Sequence, residues 1–157
     1  MKCVPCVAAF CAAFPLMALA HGYSLGAIDI DHPHVVAASA SALSSAGYLT
    51  LTNAGAADRL LAVTSPVARV TMHETTVDAD GVARMQAHDA VDLPQGAMVT
   101  FEPGGLHLMF TDLATGLEDG GKVPATLTFE VAGSIGVEFN VEMKGGVGHD
   151  HAATAGD

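Results

Sequence analysis

The segment SIGVEFNVEM, residues 134–143, alternates between apolar side chains and polar or small ones. Its apolar residues share one face of an extended chain: Ile135, Val137, Phe139, Val141 and Met143. Successive side chains of a β-strand point to opposite faces, so a period of two indicates a strand with one buried face. The segment therefore predicts a strand whose apolar residues, Met143 included, pack in the core.

The same alternation recurs along the chain, and no stretch has a sustained helical period. Residues 125–131 and 47–53 alternate clearly, and six further ranges are candidate strands: 23–30, 59–64, 67–73, 82–88, 97–102 and 106–111. Gly, Pro, Asn and Asp separate these ranges, as expected of turns. We expect helix only as a single turn near residues 114–119. About eight or nine short strands predict an all-β fold, an antiparallel sandwich or barrel.

The first twenty residues differ from this strand-rich region. Lys2 precedes an apolar stretch that ends in the small-residue sequence ALA at 18–20, the pattern of a cleaved secretory signal peptide. Pro15 within the stretch and the minimal positive charge argue against a retained membrane anchor. The chain is therefore expected to be exported to the periplasm, with His21 as its first mature residue and no stable membrane insertion.

The last residues also change in composition. Gly, Ala and Asp dominate after Met143, which is typical of a flexible tail. The predicted organisation is a signal peptide at 1–20, one β-sandwich domain at 21–143 and a His-containing tail at 144–157.

Cysteine content and charge exclude several function classes. All three cysteines lie in the signal segment, so the mature chain can form neither a disulfide, a blue-copper site nor the usual structural zinc site. The formal charge is −11 for the full chain. An acidic chain without a basic patch is a poor partner for nucleic acid.

Four residues form a candidate ligand set: His73, Met85, His107 and Met109. Strand alternation places His73 on the outer face, and it places His107 and Met109 side by side on the outer face of their own strand. The face of Met85 is ambiguous from alternation. Thioether sulfur and neutral imidazole are ligands that suit Cu(I) better than the oxygen-seeking Mg, Ca or Mn ions. The set therefore predicts a Cu(I) site.

These residues and their flanking words resemble the periplasmic copper chaperone family PCu(A)C. That family has a His, a Met about a dozen residues later, and His-x-Met after a further twenty-one; here twenty-one residues separate Met85 from His107. The words MHETT at 72–76, PGGLHLM at 103–109, AGYLTLTN at 46–53 and HP at 32–33 are also similar. The resemblance implies a cupredoxin-like Greek-key β-sandwich that carries Cu(I) to cytochrome c oxidase. Its expected partner is the copper-containing subunit of the oxidase or another copper chaperone.

Histidines outside this set leave more than one interpretation open. His34 stands where the family commonly has Trp, which leaves the local packing open and could add a ligand. His32 and His88 are interpreted as structural. His21 with its free amine, and His149 with His151 in the tail, are candidates for an accessory Cu(II) site, since imidazole suits that ion.

Other functions compete with the chaperone. A copper-sequestering or resistance protein would hold Cu(II) through His21 and the tail. A copper oxidase with a histidine brace at His21 would need a second, well-placed His. An adhesion-type sandwich would need no metal. Nucleophilic catalysis has no support, because the mature chain has no Cys and no recognisable nucleophile elbow, so the chain is expected not to be an enzyme.

Overall fold

A computed structural model describes residues 22–144 of the chain. Among these residues, no helix has the length and apolar character needed to cross a membrane. The described range contains these strands: β1 Gly22–Leu25, β2 Ile28–Val36, β3 Ser44–Asn53, β4 Asp58–Thr64, β5 Arg69–Val77, β6 Ala83–His88, β7 Val91–Leu93, β8 Met98–Phe101, β9 Leu106–Thr111, β10 Lys122–Phe129 and β11 Gly133–Glu142. The predicted all-β class is confirmed.

The strands form one continuous sheet that curls into a near-barrel. The order along the sheet is β6-β5-β9-β3-β2-β11-β10-β4-β7, with β1 beside β2 and β8 beside β3. The pairs are antiparallel apart from β2 and β11, which run parallel. Strands β4 and β5 come from opposite halves of this order and contact each other, so the inner faces enclose one core.

Two local expectations differ from the structure. The candidate strand at 23–30 is divided by a tight turn at Gly26, whose φ of 61° is easily adopted without a Cβ, and its halves pair as β1 and β2. The helical turn expected near 114–119 is absent from the described residues. There Leu117 instead forms a β-bridge with Ala38 through backbone hydrogen bonds of 2.8 and 2.9 Å.

The core fills the space between the two halves of the sheet. Phe110 of β9 and Phe139 of β11 are fully buried and meet edge to face, with ring centroids 5.5 Å apart. Burying a side chain of this size contributes about 1.5–3 kcal/mol. Gly47 of β3 packs over the Phe110 ring, where a Cβ would lie 2.5 Å from ring carbon Cε2. This close approach requires glycine, and it lets β3 lie flat between β9 and β2.

The end of β11 departs from the sequence pattern. Val137, Phe139 and Val141 are buried as the alternation predicts, but Met143 is 64% exposed. The prediction that Met143 packs in the core was wrong, because β11 ends at Glu142 and the next residues leave the sheet.

Asp58, at the start of β4, ties that strand to the turn between β10 and β11. The carboxylate is only 6% exposed. Its Oδ1 accepts hydrogen bonds from the backbone N–H groups of Arg59 and Val131, at 2.7 and 2.8 Å, and its Oδ2 accepts one from Ala132 at 2.8 Å. Burial acts to raise the pKa of Asp58, but the backbone donors outweigh it and hold the pKa below its usual value. The buried carboxylate is therefore ionised at neutral pH.

Candidate metal centre

Strand register brings the four candidate ligands to one face of the sheet. His73 lies directly opposite His107 across β5 and β9, and Thr75 lies opposite Met85 across β5 and β6. Directly opposed residues share a face, and so do residues two apart on one strand. Met109 therefore shares the face of His107, and Met85 shares the face of His73. The register resolves the face of Met85, which alternation alone leaves ambiguous.

The two histidines stack at the centre of this set. Their ring centroids lie 5.9 Å apart with an interplanar angle of 24°. Nδ1 of His107 lies 3.0 Å from the carbonyl oxygen of Gly105, and since a carbonyl only accepts, Nδ1 carries the proton. In the neutral ring this leaves Nε2 of His107 free to bind a metal. An anchored Nδ1–H is the usual way in which proteins orient a metal-binding imidazole.

The environment of His73 favours its neutral form. Burial lowers the pKa of His73, and the neighbouring His107 and His88 lower it further by repulsion between the protonated rings. Nε2 of His73 is paired with the hydroxyl of Thr71 at 2.9 Å. Because a metal binds only neutral imidazole, a lowered pKa keeps His73 competent as a ligand at neutral pH.

The methionines lie at the opening of a groove on the same face. Met85 is 55% exposed and Met109 is half-buried. The groove is lined by Met85, His107 and Met109 on one side and by Tyr48 and His34 on the other. His73 is not among its lining residues. Three of the four candidate ligands thus line one open groove. The fourth, His73, stacks against the ring of His107.

His107 differs in one respect from the sequence expectation. Alternation correctly predicts its face, but the side chain is only 6% exposed, whereas an outward-facing residue of a solvated sheet would be open to water. The stacked His73 ring and the groove account for this burial. The accessory candidates His21, His149 and His151 lie outside the described residues.

The opposite wall of the groove carries a group that sequence reasoning did not assemble. His34 of β2 and Glu142 of β11 line it, and Nε2 of His32 lies 3.4 Å from Oε1 of Glu142. The HxH spacing at 32–34 was a usable signal, but no local pattern places Glu142 beside it. By contrast, His88 pairs with Glu74 at 2.9 Å on the other face of the sheet, consistent with its structural interpretation.

Comparison with known proteins shows the family. The family model described as "Putative lipoprotein LpqE-like" matches residues 28–141. The "Putative lipoprotein Lxx21020" of Leifsonia xyli subsp. xyli is 27% identical over 115 residues, which cover 73% of this chain and 69% of that protein.

Solved structures of PCuAC domains share the fold. The copper-bound PCuAC domain of PmoF2 is 30% identical, with a TM-score of 0.67 over 79% of this chain and 99% of that domain. The Cu(I) form of DR1885 from Deinococcus radiodurans is 27% identical, with a TM-score of 0.58 over 71% of this chain and 76% of that one. The cupredoxin-like β fold implied by the sequence resemblance is therefore confirmed, and the chain belongs to the LpqE-like family, a family of PCuAC type.

Proposed function

We propose that this protein is a periplasmic copper chaperone that binds Cu(I) through His73, Met85, His107 and Met109. The observation that carries the proposal is the register of β6, β5 and β9, which puts two imidazoles and two thioethers on one face. Two of the similar solved structures contain copper, one of them as Cu(I), which supports the choice of metal. The proposed role is transport, so no catalytic step is assigned to the chain.

The ligand chemistry suits a carrier. Neutral thioether and imidazole ligands favour Cu(I), and the mature chain offers no thiolate that would hold copper more strongly. His107 is fixed by its bond to Gly105, whereas Met85 is more than half exposed at the edge strand β6. We infer that the histidines hold the ion and that Met85 is the ligand an acceptor can replace first.

The proposed acceptor is the copper centre of cytochrome c oxidase, or another copper chaperone on the way to it. A groove open to solvent beside the methionines allows ligands of the acceptor to approach before those of the donor leave. Export through the proposed signal peptide at 1–20 would place the protein where that subunit receives its copper. The lipoprotein description of the matching family supports an exported protein.

Anaerobic transfer tests this function. The Cu(I)-loaded full chain is mixed with the copper-free soluble domain of the oxidase subunit, the two are separated, and copper is measured in each fraction. We expect most of the copper on the acceptor, with faster transfer than from a small-molecule Cu(I) buffer set to the same free Cu(I) concentration. Retention of copper by the protein would instead identify a sequestering protein.

A further inference from the structure

We propose a second metal site, formed by His32, His34 and Glu142, that takes a divalent cation and prefers Cu(II). Two of its residues, His34 and Glu142, line the groove that Met85 and Met109 also line. The potential ligand atoms of these three side chains all lie within 4.8 Å of one another. Within residues 22–144, no other three His, Cys, Asp or Glu side chains meet this condition. The inference does not depend on the proposed Cu(I) site, because the two sites share no ligand.

The three groups lie close to the spacing of metal ligands, since their potential ligand atoms are all within 4.8 Å of one another. Two atoms bound about 2.0–2.1 Å from one ion lie about 2.9 Å apart at the right angles of a tetragonal Cu(II) site and about 3.4 Å apart in a tetrahedral site. Nε2 of His32 and Oε1 of Glu142 are separated by 3.4 Å. The rings of His32 and His34 lie with their centroids 4.5 Å apart, so His34 approaches the same point from the neighbouring position. Small side-chain rotations would close the set around an ion.

Hydrogen bonding prepares His34 for this role. Its Nδ1 lies 3.0 Å from the carbonyl oxygen of His32, so Nδ1 donates and Nε2 of the neutral ring remains free. The ring also packs against Tyr48, at 5.4 Å between centroids, which limits its motion. An imidazole that donates its other N–H to a backbone carbonyl is the arrangement typical of metal-binding histidines.

The backbone of β2 is irregular between Asp31 and His34, and this irregularity places the side chains of His32 and His34 on the outer face. Ile28 and Ile30 are buried before the irregularity, and Pro33 and Val35 are buried after it, so the strand changes phase by one residue. The pairing register with β3 shifts over the same residues, and His32 has a φ of 47°, which is uncommon for a residue other than glycine. A β-bulge of this kind redirects side chains. Without it, His32 and His34 would point into the core.

The third ligand comes from the parallel pair of the sheet. Strands β2 and β11 align Asn140 with His34 and Glu142 with Val36, so Glu142 lies on the outer face beside the two histidines. Two imidazoles and a carboxylate form a harder set than the thioethers across the groove. Such a set suits divalent first-row ions and binds Cu(II) most strongly among them. One groove thus offers residues of both a soft site and a borderline site.

Cu(II) titration of the full chain tests the second site. Electron paramagnetic resonance and a competing chelator are applied to the parent, His34→Ala and Glu142→Gln, and to His88→Ala as a control that breaks a half-buried His–carboxylate pair. We expect Cu(II) affinity to fall about tenfold or more in the first two variants, with a changed Cu(II) spectrum. The control should behave as the parent does. Glu142→Gln preserves side-chain shape, and circular dichroism verifies that each variant is folded.

A Cu(I) titration of the same proteins separates the two sites. If the inference is correct, His34→Ala and Glu142→Gln keep the Cu(I) affinity of the parent, and this comparison holds whether or not copper is transferred to an oxidase. Unchanged Cu(II) affinity and spectrum in both variants would overturn the inference. A parallel loss of Cu(I) affinity would also overturn it, because the residues would then belong to one mixed site.

Discussion

His107→Asn is expected to weaken Cu(I) binding by about 100-fold or more. Removing a group that only orients a metal ligand already lowers the affinity by about 10- to 100-fold, and this substitution removes the ligand itself. His107 is central to the proposed site: it lies directly opposite His73, stacks on it and is buried beside Met109. Asn can keep a hydrogen bond to the carbonyl of Gly105 through its amide N–H, but it has no counterpart of Nε2. The substitution therefore removes the ligand atom while preserving its anchor.

Anaerobic competition with a chromophoric Cu(I) chelator measures this effect. The matched control is His88→Asn, which changes a histidine of β6 whose side chain lies on the opposite face of the sheet. We expect the control to retain the affinity of the parent within about twofold, a difference well under 1.4 kcal/mol. Equal affinities for the parent and His107→Asn would exclude His107 from the site.

Asp58→Ala is expected to destabilise the fold by about 3 kcal/mol at neutral pH. The carboxylate is nearly fully buried and satisfies backbone N–H groups on both β4 and the turn after β10. Alanine would leave the partly buried N–H groups of Val131 and Ala132 without their carboxylate acceptor. Urea unfolding followed by circular dichroism gives the difference in the free energy of unfolding.

The effect of Asp58 should depend on pH in a defined direction. Its folded pKa is lowered, so the stabilisation is fully present above the unfolded pKa of about 3.9 and is lost as pH falls through the folded pKa. The parent and Asp58→Ala should therefore converge in stability only in strong acid. Asp92→Ala is the control, since its side chain is 79% exposed and pairs with Arg59 at the surface, where an ion pair contributes less than about 1 kcal/mol. A loss as small as that of the control would show that Asp58 does not hold the strands together.

Alternation in the sequence was sufficient to predict the class of fold. A period of two identifies β3, β10 and β11 because each of these strands has one face in the core. The short strand β7 was missed because three residues are too few to show a period. The break at Gly26 was missed although the apolar positions change phase there, from Tyr23 and Leu25 to Ile28 and Ile30.

The candidate site was predictable in part. Alternation placed His73, His107 and Met109 on the outer face, and the structure agrees. The position of Met85 required the register of β5 and β6, which a single sequence does not contain. The group of His32, His34 and Glu142 depends on a bulge and on a parallel pair of strands more than a hundred residues apart in sequence. The pairing of β2 with β11 arises from tertiary structure and leaves no local pattern.

X-ray absorption at the copper edge of the Cu(I)-loaded protein tests the central claim most directly. The claim is that methionine sulfur and histidine nitrogen bind one ion on the face formed by β6, β5 and β9. The double variant Met85→Leu with Met109→Leu removes both thioethers at nearly constant volume, and Met98→Leu on β8 is the control. The account predicts sulfur and nitrogen around copper in the parent and in the control, with the sulfur signal lost in the double variant. A first shell of nitrogen and oxygen alone in the parent, or sulfur that persists in the double variant, would contradict it.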